Sequence, residues 1–146
     1  MKLKKILAIV LTALCLFAAV GTVAYAETVS NPNYGVSRAY EYADSVSSRL
    51  YISEQTATCR SDADGCNVVS ITVEQTLEKH SGWFWIWNSV DGANWTKTVN
   101  LNSISMSNTK SGLSSGTYRL KSVFTLTSSS GKTETITVYS EEKKIN

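Results

Sequence analysis

Apolar and polar residues alternate along most of this chain, and the alternation predicts β-strands. Residues 66–77 and 116–127 place β-branched, aromatic and leucine side chains mostly at alternate positions, between Ser, Thr and charged residues. Side chains two apart lie on one face of a strand, so each segment would bury one face and expose the other. By the same pattern we predict six strands, at residues 49–60, 66–77, 82–90, 94–101, 116–127 and 132–143.

Turn-forming residues separate these segments. The turn signals are Asp64-Gly65, His80-Ser81-Gly82, Asp91-Gly92, the serine-rich stretch 103–115 and residues 128–131. Short strands with such turns are typical of an antiparallel sandwich. We therefore predict an all-β fold, an antiparallel immunoglobulin-like β-sandwich of six to seven strands, over residues 49–146.

Residues 27–48 are harder to assign, and we predict an N-terminal arm or an edge segment. The spacing of Tyr40, Ala43 and Val46 is partly helical, whereas residues 39–42 suit an edge strand. The two alternatives stay open at the level of the sequence.

Residues 112–120, GLSSGTYRL, are similar to the tyrosine corner of immunoglobulin-like and fibronectin type III sandwiches. In that motif a tyrosine near the start of a late strand hydrogen-bonds to the backbone a few residues upstream. Tyr118 occupies the place of that tyrosine, and Leu120 takes the core position where immunoglobulins carry a cysteine. We predict that Tyr118 forms a structural corner.

The most unusual segment is GWFWIWN, residues 82–88. As a strand, it would place Trp83, Trp85 and Trp87 on one face. The opposite face would carry Phe84, Ile86 and Val90. We assign this second set to the core, because three indoles in a row would overfill a sandwich about 10 Å thick.

The tryptophans then face outward, beside Arg119 and Lys121 of the neighbouring strand. These cations either cover the indoles or border a displayed aromatic surface that binds a partner. Burial of the tryptophans is the third alternative.

The first residues have the pattern of a secretory signal peptide. Lys2, Lys4 and Lys5 precede an apolar run over residues 6–23, and residues 24–26 form an A-x-A cleavage site. We expect residues 1–26 to be removed and the mature protein to be secreted and extracellular, in preference to a membrane anchor or a lipoprotein.

Removal of the signal changes the charge balance. The formal net charge of +2 becomes −1, because 11 of the 14 basic residues then remain against 12 acidic ones. No basic cluster indicates nucleic-acid binding. No further apolar stretch is long enough to span a membrane, so we expect no stable membrane insertion after cleavage.

Cys59 and Cys66 would be the cysteines of the mature chain, in an oxidising compartment. We predict a disulfide between them, across a hairpin whose tip is Asp64-Gly65. A calcium loop with Asp62 as a ligand is a weaker alternative, because calcium takes six to eight oxygens. A redox pair is disfavoured because C-x-x-C spacing is absent. We expect no metal and no cofactor.

Catalytic motifs are missing from the sequence. His80 is the only histidine and lies in a predicted turn, and no Ser/His/Asp set can be assembled around it. There is no H-E-x-x-H motif and no Gly-rich phosphate loop. Acidic pairs such as Glu74 with Glu78 are interpreted as surface charges. We expect that the protein is not an enzyme.

Several segments together resemble a family of small secreted Gram-positive bacterial proteins of unknown function. They are RAYEYADS from Arg38, YIS from Tyr51, NWTK from Asn94, GTYRLKSVFTL from Gly116 and GKTET from Gly131. The cysteine pair is not part of the family's pattern. The resemblance implies secretion and an immunoglobulin/fibronectin-III-like β-sandwich, and it implies no activity and no functional residues.

These patterns predict a secreted, non-catalytic binding or adhesion module that acts through its aromatic strand. The expected partner is a cell-wall glycan or a surface protein. The alternative is a secreted effector, toxin or protective factor that acts by protein contact.

Overall fold

The computed structural model describes residues 40–146. The predicted signal peptide, residues 1–26, and residues 27–39 of the predicted arm lie outside the described residues. Residues 40–146 form eight β-strands: β1 (Ala43–Ser53), β2 (Thr56–Gly65), β3 (Val68–His80), β4 (Trp87–Val99), β5 (Ser103–Lys110), β6 (Gly116–Ser128), β7 (Thr133–Tyr139) and β8 (Lys143–Ile145). No helix in this part of the chain is long and apolar enough to cross a membrane.

The eight strands form two antiparallel sheets that enclose one core. One sheet has the order β1-β2-β5, and the other has the order β4-β3-β6-β7, with β8 paired to the start of β6. Buried residues of both sheets meet, as Ala63 of β2 and Phe124 of β6 do in one apolar cluster. The predicted antiparallel β-sandwich is confirmed, with eight strands instead of six to seven.

Alternation along the strands explains why they form this sandwich. In β6 every second side chain points inward, and Tyr118, Leu120 and Phe124 are fully buried there. Burial of each such side chain contributes roughly 1.5–3 kcal/mol. The facing strand β2 turns Ala57 and Ala63 inward, and these small side chains leave room for the large ones of β6.

A polar layer (Ser61, Gln75, Asn108 and Ser122) divides the core into two apolar clusters. Ser61 Oγ lies 2.7 Å from Ser122 Oγ and accepts a hydrogen bond of 2.7 Å from Gln75 Nε2. Asn108 Nδ2 donates to Gln75 Oε1 at 2.9 Å. These groups come from both sheets, and a buried polar group needs its partner, so the layer aligns the two sheets.

Several predicted elements have different limits in the structure, and the predicted turn Asp91-Gly92 lies within β4. Residues 49–60 are divided between β1 and β2 by a tight turn, in which Glu54 has a φ of 53°. The serine-rich stretch 103–115 contains β5, because Ile104 and Met106 alternate with its serines and are buried. Residues 43–48 belong to β1, which lies at one edge of the three-stranded sheet within residues 40–146. This part of the predicted arm is therefore an edge strand.

The predicted disulfide and its hairpin are wrong. Cys59 is buried in the middle of β2, where it pairs with Leu50 and Asn108, and Cys66 is exposed after the end of β2. The extended chain between the two cysteines covers about 20 Å at roughly 3.3 Å per residue. A disulfide needs Cα atoms within about 7 Å, so both thiols are free.

Gly65 explains the error, because this glycine serves close packing and not a hairpin turn. It ends β2, and the chain crosses from there to β3 in the other sheet. A Cβ at Gly65 would lie 2.6 Å from Val68 Cγ2 and 2.9 Å from the carbonyl oxygen of Tyr42. The nearby Asp62 accepts a hydrogen bond of 2.7 Å from Ser105 Oγ across the β2–β5 pair.

Candidate binding surface

The aromatic segment forms the turn of a hairpin, not a strand as predicted for residues 82–90. β3 ends at His80, β4 begins at Trp87, and these two residues are paired. The amide of Ser81 donates to the carbonyl of Ile86 at 2.9 Å and closes the turn. Gly82 and Phe84 have positive φ values of 78° and 49°, so the backbone reverses direction and the two-face pattern of a strand is lost.

Four consecutive side chains of this turn stand in solvent, and we call them the hairpin tip. Their exposed fractions are 74% for Trp83, 74% for Phe84, 91% for Trp85 and 52% for Ile86. Assignment of Phe84 and Ile86 to the core is therefore wrong. The volume argument that placed them there assumed that one face of the segment enters the sandwich, and neither face does.

Trp87 lies apart from the hairpin tip, on the outer face of the five-stranded sheet. The guanidinium of Arg119 sits 4.2 Å from the ring centroid of Trp87 and 4.2 Å from that of Tyr139. The Arg119 Nε donates to Glu78 Oε2 at 2.7 Å, which holds the cation between the two rings. A cation thus covers Trp87, as one of the sequence alternatives proposed for all three tryptophans.

The five residues predicted as one surface consequently divide into two pairs and one separate residue, Lys121. Trp83 and Trp85 belong to the hairpin tip. Trp87 and Arg119 form the stack beside Tyr139, and Lys121 pairs with Thr76, farther along the sheet. Of the residues that were predicted for the core, Val90 packs against a buried cluster.

Hydrogen bonds within the turn hold the hairpin tip in place. Ser81 Oγ donates to the carbonyl of Trp83 at 2.9 Å, and the amide of Gly82 donates to Nδ1 of His80 at 3.2 Å. The His80 ring meets Trp87 edge-on, with centroids 5.1 Å apart. The polar side chains of this turn therefore shape the loop.

Tyr118 makes the corner bond that the sequence predicts. Its buried hydroxyl donates to the carbonyl of Ser114 at 2.7 Å. Lys79 lies above the Tyr118 ring, 5.5 Å from the centroid, and its Nζ donates to Ser114 Oγ at 2.6 Å. These contacts tie the β5–β6 loop to the base of the hairpin.

A groove of about 350 Å³ lies at the base of the hairpin, beside this corner. Its lining combines the end of β3, the start of β4 and the β5–β6 loop, and it includes Lys79, Ser81, Lys110 and Leu113. The groove and the hairpin tip are neighbours, since Ser81 at the root of the tip also lines the groove.

Sequence reasoning missed the hairpin tip because the aromatic run begins directly after a turn signal. The predicted turn ended at Gly82, and the predicted strand began there. In the structure the turn continues through Ile86. The lack of any polar residue between Trp83 and Trp87 argues against a half-buried strand, which alternates, but it suits a fully buried strand as well as an exposed turn.

No model of a known protein family matches this sequence, and no curated protein matches it. The resemblance to a Gram-positive secreted family stays a prediction.

Proposed function

We propose that this protein is a secreted, non-catalytic binding module that attaches to a cell surface through its hairpin tip. The observation that supports the proposal is the exposure of four adjacent large apolar side chains at one convex turn. Two further features support it less directly. The leader-like start of the sequence is typical of export, and the resemblance noted above is to secreted proteins of Gram-positive bacteria.

The area of the hairpin tip argues for a partner. Fully exposed aromatic side chains present about 150–250 Å² each, so the four residues leave roughly 500 Å² of apolar surface in water. The largest apolar patch of a soluble monomer is about 300–600 Å² and is often functional. Burial of half of this surface would contribute roughly 6 kcal/mol before the costs of association.

The rest of the sandwich supports the tip as a rigid base. The closing hydrogen bond of the turn, the Ser81 contacts and the neighbouring tyrosine corner all join at its root. A contact surface that is already ordered before binding loses less conformational entropy when it binds.

Retention on intact Gram-positive cells tests the proposal without any assumption about the target molecule. We expect the wild-type protein to be retained and the Trp83→Ser/Trp85→Ser variant to be lost to the supernatant. Leu101→Ser is the matched control, since Leu101 is 62% exposed but lies in the β4–β5 loop at the opposite end of the sandwich. Equal retention of the wild type and the tip variant would contradict the proposal.

A further inference from the structure

The shape of the hairpin tip restricts what can cover it. The tip is convex, and the rings of Trp83 and Phe84 meet at 72° with centroids 5.2 Å apart, so they form no common plane. A sugar ring stacks on a flat aromatic face, and a protein would need a pocket shaped to this projection. A fluid phase closes around a convex apolar projection of any shape.

The chemistry of the tip matches the interface of a lipid bilayer. Tryptophan has a large apolar ring and one N–H group, and it concentrates at the level of the lipid headgroups. Phe84 and Ile86 are purely apolar and suit the adjoining acyl region. Amphipathic helices that lie on a bilayer bury their apolar face about 5–10 Å deep in this boundary, and the tip would enter the same layer.

Several backbone groups of the turn already have the hydrogen-bond partners that an apolar medium requires. A polar backbone group that enters lipid without a partner costs several kcal/mol. Here the amides of Ser81, Gly82 and Trp83 all donate within the turn, to the Ile86 carbonyl, to His80 Nδ1 and to Ser81 Oγ. The carbonyl of Trp83 accepts from the Ser81 hydroxyl.

Three lysines that form no ion pair within the described residues lie at the same end of the sandwich as the tip. Lys79 pairs with Tyr118 near the end of β3, and Lys144 pairs with Thr117 at the start of β6. Lys110 ends β5 and lines the groove beside the tip.

Acidic side chains also lie near this end: Glu54 in the β1–β2 turn, Asp91 in β4, and Glu141 and Glu142 before β8. Glu141 pairs with Lys143 at 3.0 Å. The three lysines form none of the ion pairs of the described residues, and such unpaired cations suit a surface that carries negative charge.

We propose that the target of the hairpin tip is the surface of an anionic lipid bilayer. The four tip side chains enter the interfacial layer, while Lys110 and Lys144 lie against lipid phosphates. The protein does not span the bilayer, and its sandwich stays in water. This inference rests on the proposed function, because it names the occupant of the same surface.

Vesicles of defined composition test the inference. The protein is expressed from the full sequence and purified in the form that remains after any cleavage by the host. Binding is measured by co-sedimentation with phosphatidylglycerol vesicles and with phosphatidylcholine vesicles. Insertion is measured by quenching of tryptophan fluorescence with lipids brominated in the acyl chain. Four proteins are compared: wild type, Trp83→Ser/Trp85→Ser, Lys110→Gln/Lys144→Gln and the control Leu101→Ser.

We expect wild type and Leu101→Ser to bind the anionic vesicles equally and to be quenched. Loss of the two indoles should weaken binding by about tenfold for each side chain, from the apolar area withdrawn from lipid. Loss of the two lysines should weaken binding by about fivefold for each charge, and added salt should reduce this difference.

Two outcomes would overturn the inference. The first is that the wild-type protein does not bind anionic vesicles, or that the tip variant binds them as tightly as wild type. The second is tip-dependent retention on cells or on purified wall polymer, together with no binding to vesicles. In that second case the target is a glycan or a protein, and the proposed function stands without the lipid. If cells also retain the tip variant like wild type, the proposed function fails too.

Discussion

At the scale of single residues, Cys59 shows how the sandwich changes the chemistry of a side chain. Its thiol is buried in β2, and burial raises the pKa from 9.0 to about 12. Above pH 9 the unfolded chain releases this proton, whereas the folded protein keeps it. The free energy of unfolding therefore falls as the pH rises from about 9 towards 12, and the contribution is fully present below pH 9.

We expect this single group to lower stability by up to about 1.4 kcal/mol per pH unit in that window. Urea unfolding at pH 8 and at pH 10.5 measures it by comparison with Cys59→Ala, which lacks the titrating thiol. Other groups that titrate in this range are common to both proteins and cancel in the difference. Cys66→Ser, altered at the exposed cysteine, should decline with pH like wild type. Equal pH slopes for wild type and Cys59→Ala would show that burial of Cys59 does not shift its titration.

At the scale of elements, Phe84 and Phe124 separate turn from strand. Phe124 is fully buried in β6 and contacts the larger apolar cluster, whereas Phe84 projects from the β3–β4 turn. We expect Phe124→Ala to lower the free energy of unfolding by about 3–5 kcal/mol, because it leaves a cavity. Phe84→Ala should change it by less than about 0.5 kcal/mol. Thermal or urea unfolding of both variants measures these changes in stability. A large loss of stability for Phe84→Ala would show that Phe84 belongs to the core.

The same two residues show which elements the sequence was able to predict. Phe124 belongs to a segment in which apolar and polar residues alternate except at Ser122 and Val123, and that period predicts a half-buried strand. Phe84 belongs to a run with no polar residue, so the run has no period. A buried strand and an exposed turn then have the same composition, and backbone φ values that sequence alone does not reveal decide between them.

Residues that act through distant contacts were also beyond prediction. Tyr118 was predictable because its partner Ser114 lies four residues away in a recognisable motif. Gly65 resembled a turn residue, and only its approach to Tyr42 and Val68 reveals its role. The three lysines near the tip come from β3, β5 and β8, and the register of the strands brings them to one end.

At the scale of the whole molecule, one polar layer separates the half of the sandwich that carries the hairpin tip from the other half. The apolar cluster nearer the hairpin tip contains Tyr118 and Leu120, and the other contains Phe124 and Leu126. Between them, Gln75 connects Ser61 of the opposite sheet with Asn108 of β5. The position of the tip relative to the other half therefore depends on how well this layer aligns the sheets.

Gln75→Met tests that dependence, because methionine keeps the length of the side chain and removes both of its hydrogen-bonding groups. Ser61 and Asn108 then lose buried partners, and we expect the free energy of unfolding to fall by about 2–3 kcal/mol. Gln55→Met, at an exposed glutamine in the β1–β2 turn, is the matched control and should change it by less than about 0.5 kcal/mol. Ser61 keeps Ser122 Oγ as a partner at 2.7 Å, so at Ser61 the variant loses one hydrogen bond and leaves no hydroxyl unpaired. A Gln75→Met variant as stable as wild type would mean that apolar packing alone aligns the two sheets.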